Sequence, residues 1–212
     1  MTVGKHLARV NRKKIVFNLV TNGTLLNDEQ ISFLTKKDFH VVLSCDGNKM
    51  TQDYQRRFQS GDSCFNIVET NLHKLIKSIP NLTVRMTVTP FCVDELFNNV
   101  KFLFMKGVDR LGFVPTYENE WSEGDLSKFK KNIRKILKMW QDNIKKRPHF
   151  YIMPLINYIR KYHDNDFPFH PYMHPCRSGC GLSYSTSVEG DIPTHVIVLL
   201  HLERKNLNWA IF

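Results

Sequence analysis

The sequence of 212 residues has no apolar run long enough to cross a bilayer, and its first residues lack the charged, apolar and small-residue order of a signal peptide. A cytoplasmic protein with no membrane partner is therefore expected. Cysteine is sparse and odd in number, five in all, which excludes a secreted disulfide framework and favours reduced thiols or metal ligands. Cys45, Cys64 and Cys92 lie in or beside apolar segments, where buried thiols are expected. Low-complexity tracts are absent, and nothing repeats except an alternation of strand and helix patterns. Acidic residues are in short supply: 20 Asp and Glu face 30 Lys and Arg, a formal charge of +10.

What is present is enough for one substantial core, at 42% apolar and 12% aromatic residues. The positive charge invites a nucleic-acid partner, because Lys and Arg that neutralise phosphates give sequence-independent affinity. Its distribution argues otherwise. Much of it falls in Lys5 to Lys14 and in Lys128 to Arg147, and the second stretch carries an apolar stripe at Phe129, Ile133, Leu137, Trp140 and Ile144. That spacing places the lysines on the solvated face of a helix, without the interleaved aromatics that stack on bases.

From Lys14 the chain reads as successive βα units. A strand over Ile15 to Val20 closes on Thr21-Asn22-Gly23 and leads to a helix capped by Asn27. A second strand, Val41 to Cys45, is followed by Asp46-Gly47, a polar loop, and a helix around Ile67, Leu72, Leu75 and Ile79. A third, Leu82 to Thr89, precedes Pro90 and a helix over Val93 to Met105 that stops at Gly107, which suits a left-handed C-cap. A fourth, Leu111 to Val114, leads through Pro115 to a long helix beginning near Asp125. Four such units predict an α/β fold, a parallel sheet covered by helices and closed or partly closed into a barrel. The strand ends read TNG, SCDG, RMTVT and FVPTYE, all polar, at the rim where such folds bind ligands.

Beyond Ile152 the character changes. Asp164 to Pro175, rich in Pro, His and aromatics, reads as a linker. Cys176 and Cys180 follow, then an alternating run from Ser183 to Val188 and a hairpin turn at Glu189-Gly190-Asp191. Two cysteines are too few for a stable iron–sulfur or zinc site, though His170, His174 and His195 are candidates to complete a zinc set.

The stretch Thr21-Asn22-Gly23-Thr24-Leu25-Leu26, then Ser44-Cys45-Asp46-Gly47, the strand Arg85 to Thr89, and Pro175-Cys176 through Gly190-Asp191-Ile192 resemble, in that order, radical S-adenosylmethionine (AdoMet) enzymes of the sulfatase-maturase and peptide-maturase type. Common forms there are TNGTLL and SLDG. Each motif is weak; four in register over about three quarters of the chain are stronger. The resemblance implies part of a (β/α)6 barrel with the first two units missing, followed by the start of a small β-hairpin auxiliary-cluster (SPASM or twitch) domain. It divides the chain into 1–150, the partial barrel; 151–192, the linker and auxiliary-domain start; and 193–212.

The chemistry implied is reductive cleavage of AdoMet by a [4Fe–4S] cluster, giving a 5′-deoxyadenosyl radical that abstracts hydrogen from a peptide or protein side chain. By resemblance Ser44 and Arg85 hold the methionyl part of AdoMet, with Asn22 and Asp46 lining the same rim, and Cys176 is the first auxiliary-cluster ligand, Cys180 an extra thiol. The alternative reading of Asn22, Ser44, Asp46 and Arg85 is as hydrogen-bonded turn or strand-end residues. The CxxxCxxC loop and the Gly-Gly-Glu motif of such enzymes have no counterpart. Met1 to Lys13 then reads as the remnant of a preceding helix, and the chain as a fragment, inactive alone, that a second chain could complete. Pro193 to Leu199 can be encoded so that a shifted frame spells Tyr-Pro-Cys-His-Arg-Phe, the usual continuation after Gly-Asp-Ile, so 193–212 reads as an out-of-frame tail. Two other classes stay open: a non-catalytic module binding a peptide or nucleoside, and a basic nucleic-acid-binding protein.

Overall fold

A computed structural model describes residues 17–116, 118–153 and 155, all within the compact unit Met1–Ile159; the unit Arg160–Phe212 lies outside them. The frame is a sheet of five parallel strands in sequential order: β1 (Asn18–Thr21), β2 (His40–Ser44), β3 (Thr83–Val88), β4 (Arg110–Pro115) and β5 (Tyr151–Ile152). The helices are α1 (Asp28–Lys36), α2 (Lys49–Gln55), α3 (Phe65–Ser78), α4 (Leu96–Lys106) and α5 (Glu123–Asn143), with a 3-10 segment at Pro90–Glu95 leading into α4.

Alternation along the strands decides which face is dry. Val41, Leu43, Val84, Met86, Val88, Leu111, Phe113 and Ile152 are buried against helices, joined by Ile31, Leu34, Val68, Leu72, Leu75, Val100, Leu103 and Ile136. Burying such side chains stabilises by roughly 1.5–3 kcal/mol each before the entropy of ordering them is charged. Residues of opposite parity, Val20, Val42, Ser44, Arg85 and Gly112 among them, are half-buried or exposed. The sheet is thus covered on one face only by the described helices. A parallel sheet is ordinarily covered on both.

Local chemistry explains the boundaries. Asn27 caps α1 in a full capping box with Gln30, and Gly107 ends α4 at φ +100°, both as the sequence predicts. Ser122, with Asp125 in a second capping box, starts α5 slightly earlier than expected. Three readings are corrected. The polar loop after Gly47 contains helix α2, capped by Asn48 and packed through buried Thr51, Gln52 and Asp53. The predicted helix Val93 to Met105 is a 3-10 turn followed by α4, because Pro90 fixes the first turn. A fifth strand, too short to show a pattern, adds to the sheet where Tyr151 N donates to Asp109 O.

On α5, Phe129, Ile133, Leu137 and Trp140 pack against the core, with Ile136 the most deeply buried, while Lys128 and Lys138 pair with Asp94 and Asp142. These lysines occupy a solvated, partly neutralised face, as the stripe predicts. No described helix is long and apolar enough to cross a membrane. Ile15, Val16 and Met1 to Lys13 lie outside the described residues, as do Asp164 to Pro175, Cys176, Cys180, His170, His174, the Glu189 turn and residues 193–212.

Candidate ligand site on the open sheet face

At the end of β1 the chain must reverse within Asn22-Gly23. Asn22 Oδ1 accepts from the amide and hydroxyl of Thr24 at 3.1 and 2.9 Å, and Thr21 Oγ1 accepts from Gly23 N. Gly23 sits at φ +77°, and a Cβ there would meet Leu43 Cδ1 at 2.6 Å. Buried Asn71 of α3 donates to the carbonyls of Gly23 and Leu26. Asn22 is therefore a turn residue with its side-chain oxygen already occupied.

The end of β2 is bound still more tightly. Asp46 is 1% exposed; its carboxylate accepts from Arg56 Nε at 2.6 Å and from the Thr87 amide of β3 at 2.7 Å. Arg56 Nη2 reaches Thr87 Oγ1 at 3.2 Å, and Gln52 Oε1 accepts from the Asp46 amide. Such charge-assisted bonds satisfy a group that would be costly to bury alone. Asp46 accordingly clamps β2 to β3 instead of projecting from the rim. Gly47, at φ +125°, leaves no room for a Cβ beside Asn99 of α4, whose Oδ1 accepts from Asn48 N and whose Nδ2 donates to Thr51.

Ser44 and Arg85 are placed differently. They are paired Cα partners in the β2–β3 register, so both side chains rise from the uncovered face. Arg85 is exposed, Ser44 half-buried, and neither side chain has a hydrogen-bond or ionic partner among the described residues. A hydroxyl beside a free guanidinium suits a carboxylate. Further along the same face, His40 Nδ1 lies 2.9 Å from Asn18 Oδ1 and Nε2 lies 3.2 Å from Thr83 Oγ1. A neutral ring donating from Nδ1 and accepting at Nε2 satisfies both contacts. Burial, then the charge of Arg110, holds His40 below the usual imidazole range.

Of the sequence-predicted residues the structure thus brings together Ser44 and Arg85, and separates them in role from Asn22 and Asp46. Arg56, Gln52, Asn71 and Asn99, which hold the strand ends, were not singled out from sequence. For Gln52, Asn71 and Asn99 the one visible signal is a polar residue at a helix position that faces the core; Arg56, just past the end of α2, carries none.

The thiols serve packing. Cys45, pushed up to about 12 by burial, points at Gly47 O; Cys64 donates to Arg56 O; Cys92 is also buried. Among the described residues no three His, Cys, Asp or Glu side chains converge as a metal site would require. Among the described residues three grooves lie off the open face: one of about 540 Å³ along α1, one of about 580 Å³ where Tyr54 and Phe91 stack at 3.8 Å, and one of about 560 Å³ between α4 and α5.

No family model matches the sequence. Solved structures do resemble it. The anaerobic sulfatase-maturing radical SAM enzyme anSMEcpe with bound AdoMet aligns at a TM-score of 0.65 and 22% identity, over 76% of this chain and 47% of that one. The same enzyme with AdoMet and the Kp18Cys peptide gives 0.64 and 22%, over 77% and 49%. This chain spans about half the length of those structures. At that identity the likeness is one of fold: a parallel α/β sheet with helices, as in radical SAM neighbours.

Proposed function

We propose that this chain forms the AdoMet-facing wall of a radical SAM type enzyme that modifies a peptide or protein side chain, the rest of the barrel being supplied by polypeptide outside this sequence. One observation carries the reading: Ser44 and Arg85, predicted to hold the methionyl end of AdoMet, stand in register on the face that no described helix covers, with no partner among the described residues. In this reading Arg85 neutralises the ligand carboxylate and the Ser44 hydroxyl donates to it, fixing one end of the molecule. Asp46 and Arg56 act one step back, setting the β2–β3 register on which that geometry depends.

AdoMet, in enzymes of this type, supplies a 5′-deoxyadenosyl radical once a reduced [4Fe–4S] cluster cleaves it. The described cysteines do not fit that cluster, since each is buried and no convergent trio exists among the described residues. The contribution assigned to the chain is therefore binding and orientation, and alone it is inactive. Cys176 and Cys180 remain proposed auxiliary-site ligands, and 193–212 a proposed out-of-frame tail, which the shifted nucleotide frame after Ile192 tests directly.

The expected outcome of calorimetric titration is saturable binding of AdoMet by the chain, weakened about tenfold or more in Arg85→Gln and less in Ser44→Ala. Wild-type chain that binds no AdoMet would overturn the reading. The misfit of the cysteines also favours a second reading, a non-catalytic nucleoside-binding module. Adenosine binding as tightly as AdoMet, with no effect of Arg85→Gln, would select it.

A further inference from the structure

We propose that Arg85 and Arg110 form a two-point site for a small dianion on the uncovered face of the sheet. The proposal shares Arg85 with the AdoMet reading and does not depend on it.

Arg85 pairs in register with Gly112, and Arg110 lies two residues back on β4, on the same face. With strands ~4.8 Å apart and a rise of ~3.3 Å per residue, the two Cα atoms are diagonal neighbours at about 8 Å. Gly112, between them, has no side chain of its own, and the Met153 side chain borders the gap, 3.9 Å from where a Cβ on Gly112 would stand. Arg110 lies close enough to His40, across β3, to disfavour a positive imidazole, so its charge reaches over this face.

Several cations elsewhere in the molecule have acids to hand. Lys49, Arg56, Lys74, Lys106, Lys128 and Arg147 each bridge to a carboxylate, at Asp53, Asp46, Asp28, Glu69, Asp94 and Asp109. Among the described residues Arg85 and Arg110, like Arg134 on α5, make no ion pair and no side-chain hydrogen bond, but only Arg85 and Arg110 stand together on one sheet face. The described strands offer this face Asn18, Val20, His40, Val42, Ser44, Thr83, Thr87, Val114 and Tyr151, not one of them acidic. Two like charges held together, without a counter-ion among the described residues, repel each other. A ligand with two anionic groups relieves that repulsion and accepts hydrogen bonds from both guanidinium forks and from the hydroxyl of Ser44. The shared ligand chemistry is a pair of phosphoryl or carboxylate groups.

Inorganic pyrophosphate and glutarate serve as probes of the full 212-residue chain, titrated calorimetrically at low ionic strength. The expected result is one saturable site for at least one probe, weakened about tenfold or more by Arg85→Gln and by Arg110→Gln, partly retained in Arg110→Lys, and unaltered by Lys101→Gln on exposed α4. Unchanged circular dichroism shows that the variants fold. Tighter pyrophosphate assigns a phosphoanion, and tighter glutarate a dicarboxylate. Absence of saturation with both probes, dependence on only one arginine, or affinity that follows net charge alone and falls equally in Lys101→Gln would overturn the site. AdoMet is titrated in parallel. AdoMet binding without dianion binding sinks this site alone, whereas the reverse sinks the AdoMet reading alone.

Discussion

At Asp46 the sequence shows a carboxylate in an Asp-Gly turn, and the structure shows a buried anion whose ligands come from ten residues on and from the next strand. Truncation tests the difference. Asp46→Ala leaves the Arg56 guanidinium without its counter-charge and the Thr87 amide without its acceptor, and is expected to cost about 3 kcal/mol in urea unfolding. A loss below about 1 kcal/mol, the range of an exposed pair, would mean that the clamp is dispensable. His40 gives a second residue-scale test. Its native pKa lies below the ordinary 6.5, so the unfolded chain takes up the proton first. Its contribution to stability is complete above pH 6.5 and is lost as pH falls from there through the lower native value. The unfolding midpoint of wild type should fall between pH 7.5 and 5.5 by more than that of His40→Asn, measured under the same conditions.

Elements were legible wherever their own residues form them. The Asn27 cap, the Gly107 stop and the four longer strands follow from local signals and match within a few residues. Gly107→Ala should accordingly lower the thermal midpoint by an amount equivalent to about 1 kcal/mol, because φ +100° strains any side chain while the nearest atom, Ile76 Cγ2, stands off at 3.6 Å. An unchanged midpoint would mean that the C-cap is not held in that conformation. Helix α2 escaped notice because Thr51, Gln52 and Asp53 bury polar groups, so no apolar period marks it. Ile67, one of the apolar residues that mark helix α3 in the sequence, is 43% exposed, and its neighbour Val68 is buried. On α5 the stripe was right in phase and missed Ile136, its deepest member.

At the scale of the whole molecule, alternation within a strand is readable from sequence but register between strands is not. Ser44 and Arg85 are forty-one positions apart, and only the β2–β3 pairing makes them neighbours. The same pairing explains why the polar strand ends did not all become a ligand rim: Asn22, Asp46 and Thr87 are consumed holding turns and strands together, and the free groups stand on the sheet face instead. Arg85 and Arg110 were likewise invisible as a pair until β3 and β4 were set side by side.

The bond from Asn48 N to Asn99 Oδ1 spans 51 positions and joins the turn after β2 to helix α4. Its consequence is temporal. That amide cannot acquire its partner until β3 has been laid down and α4 has docked behind it, so its exchange with deuterium reports on the cooperation of two βα units, unlike amides satisfied inside a single helix. Asn99→Ala should speed exchange at Asn48 while leaving the interior amides of α1 protected. Equal acceleration at both would show instead that the described sheet and its helices open as one cooperative unit, with the turn after β2 released only when everything else is.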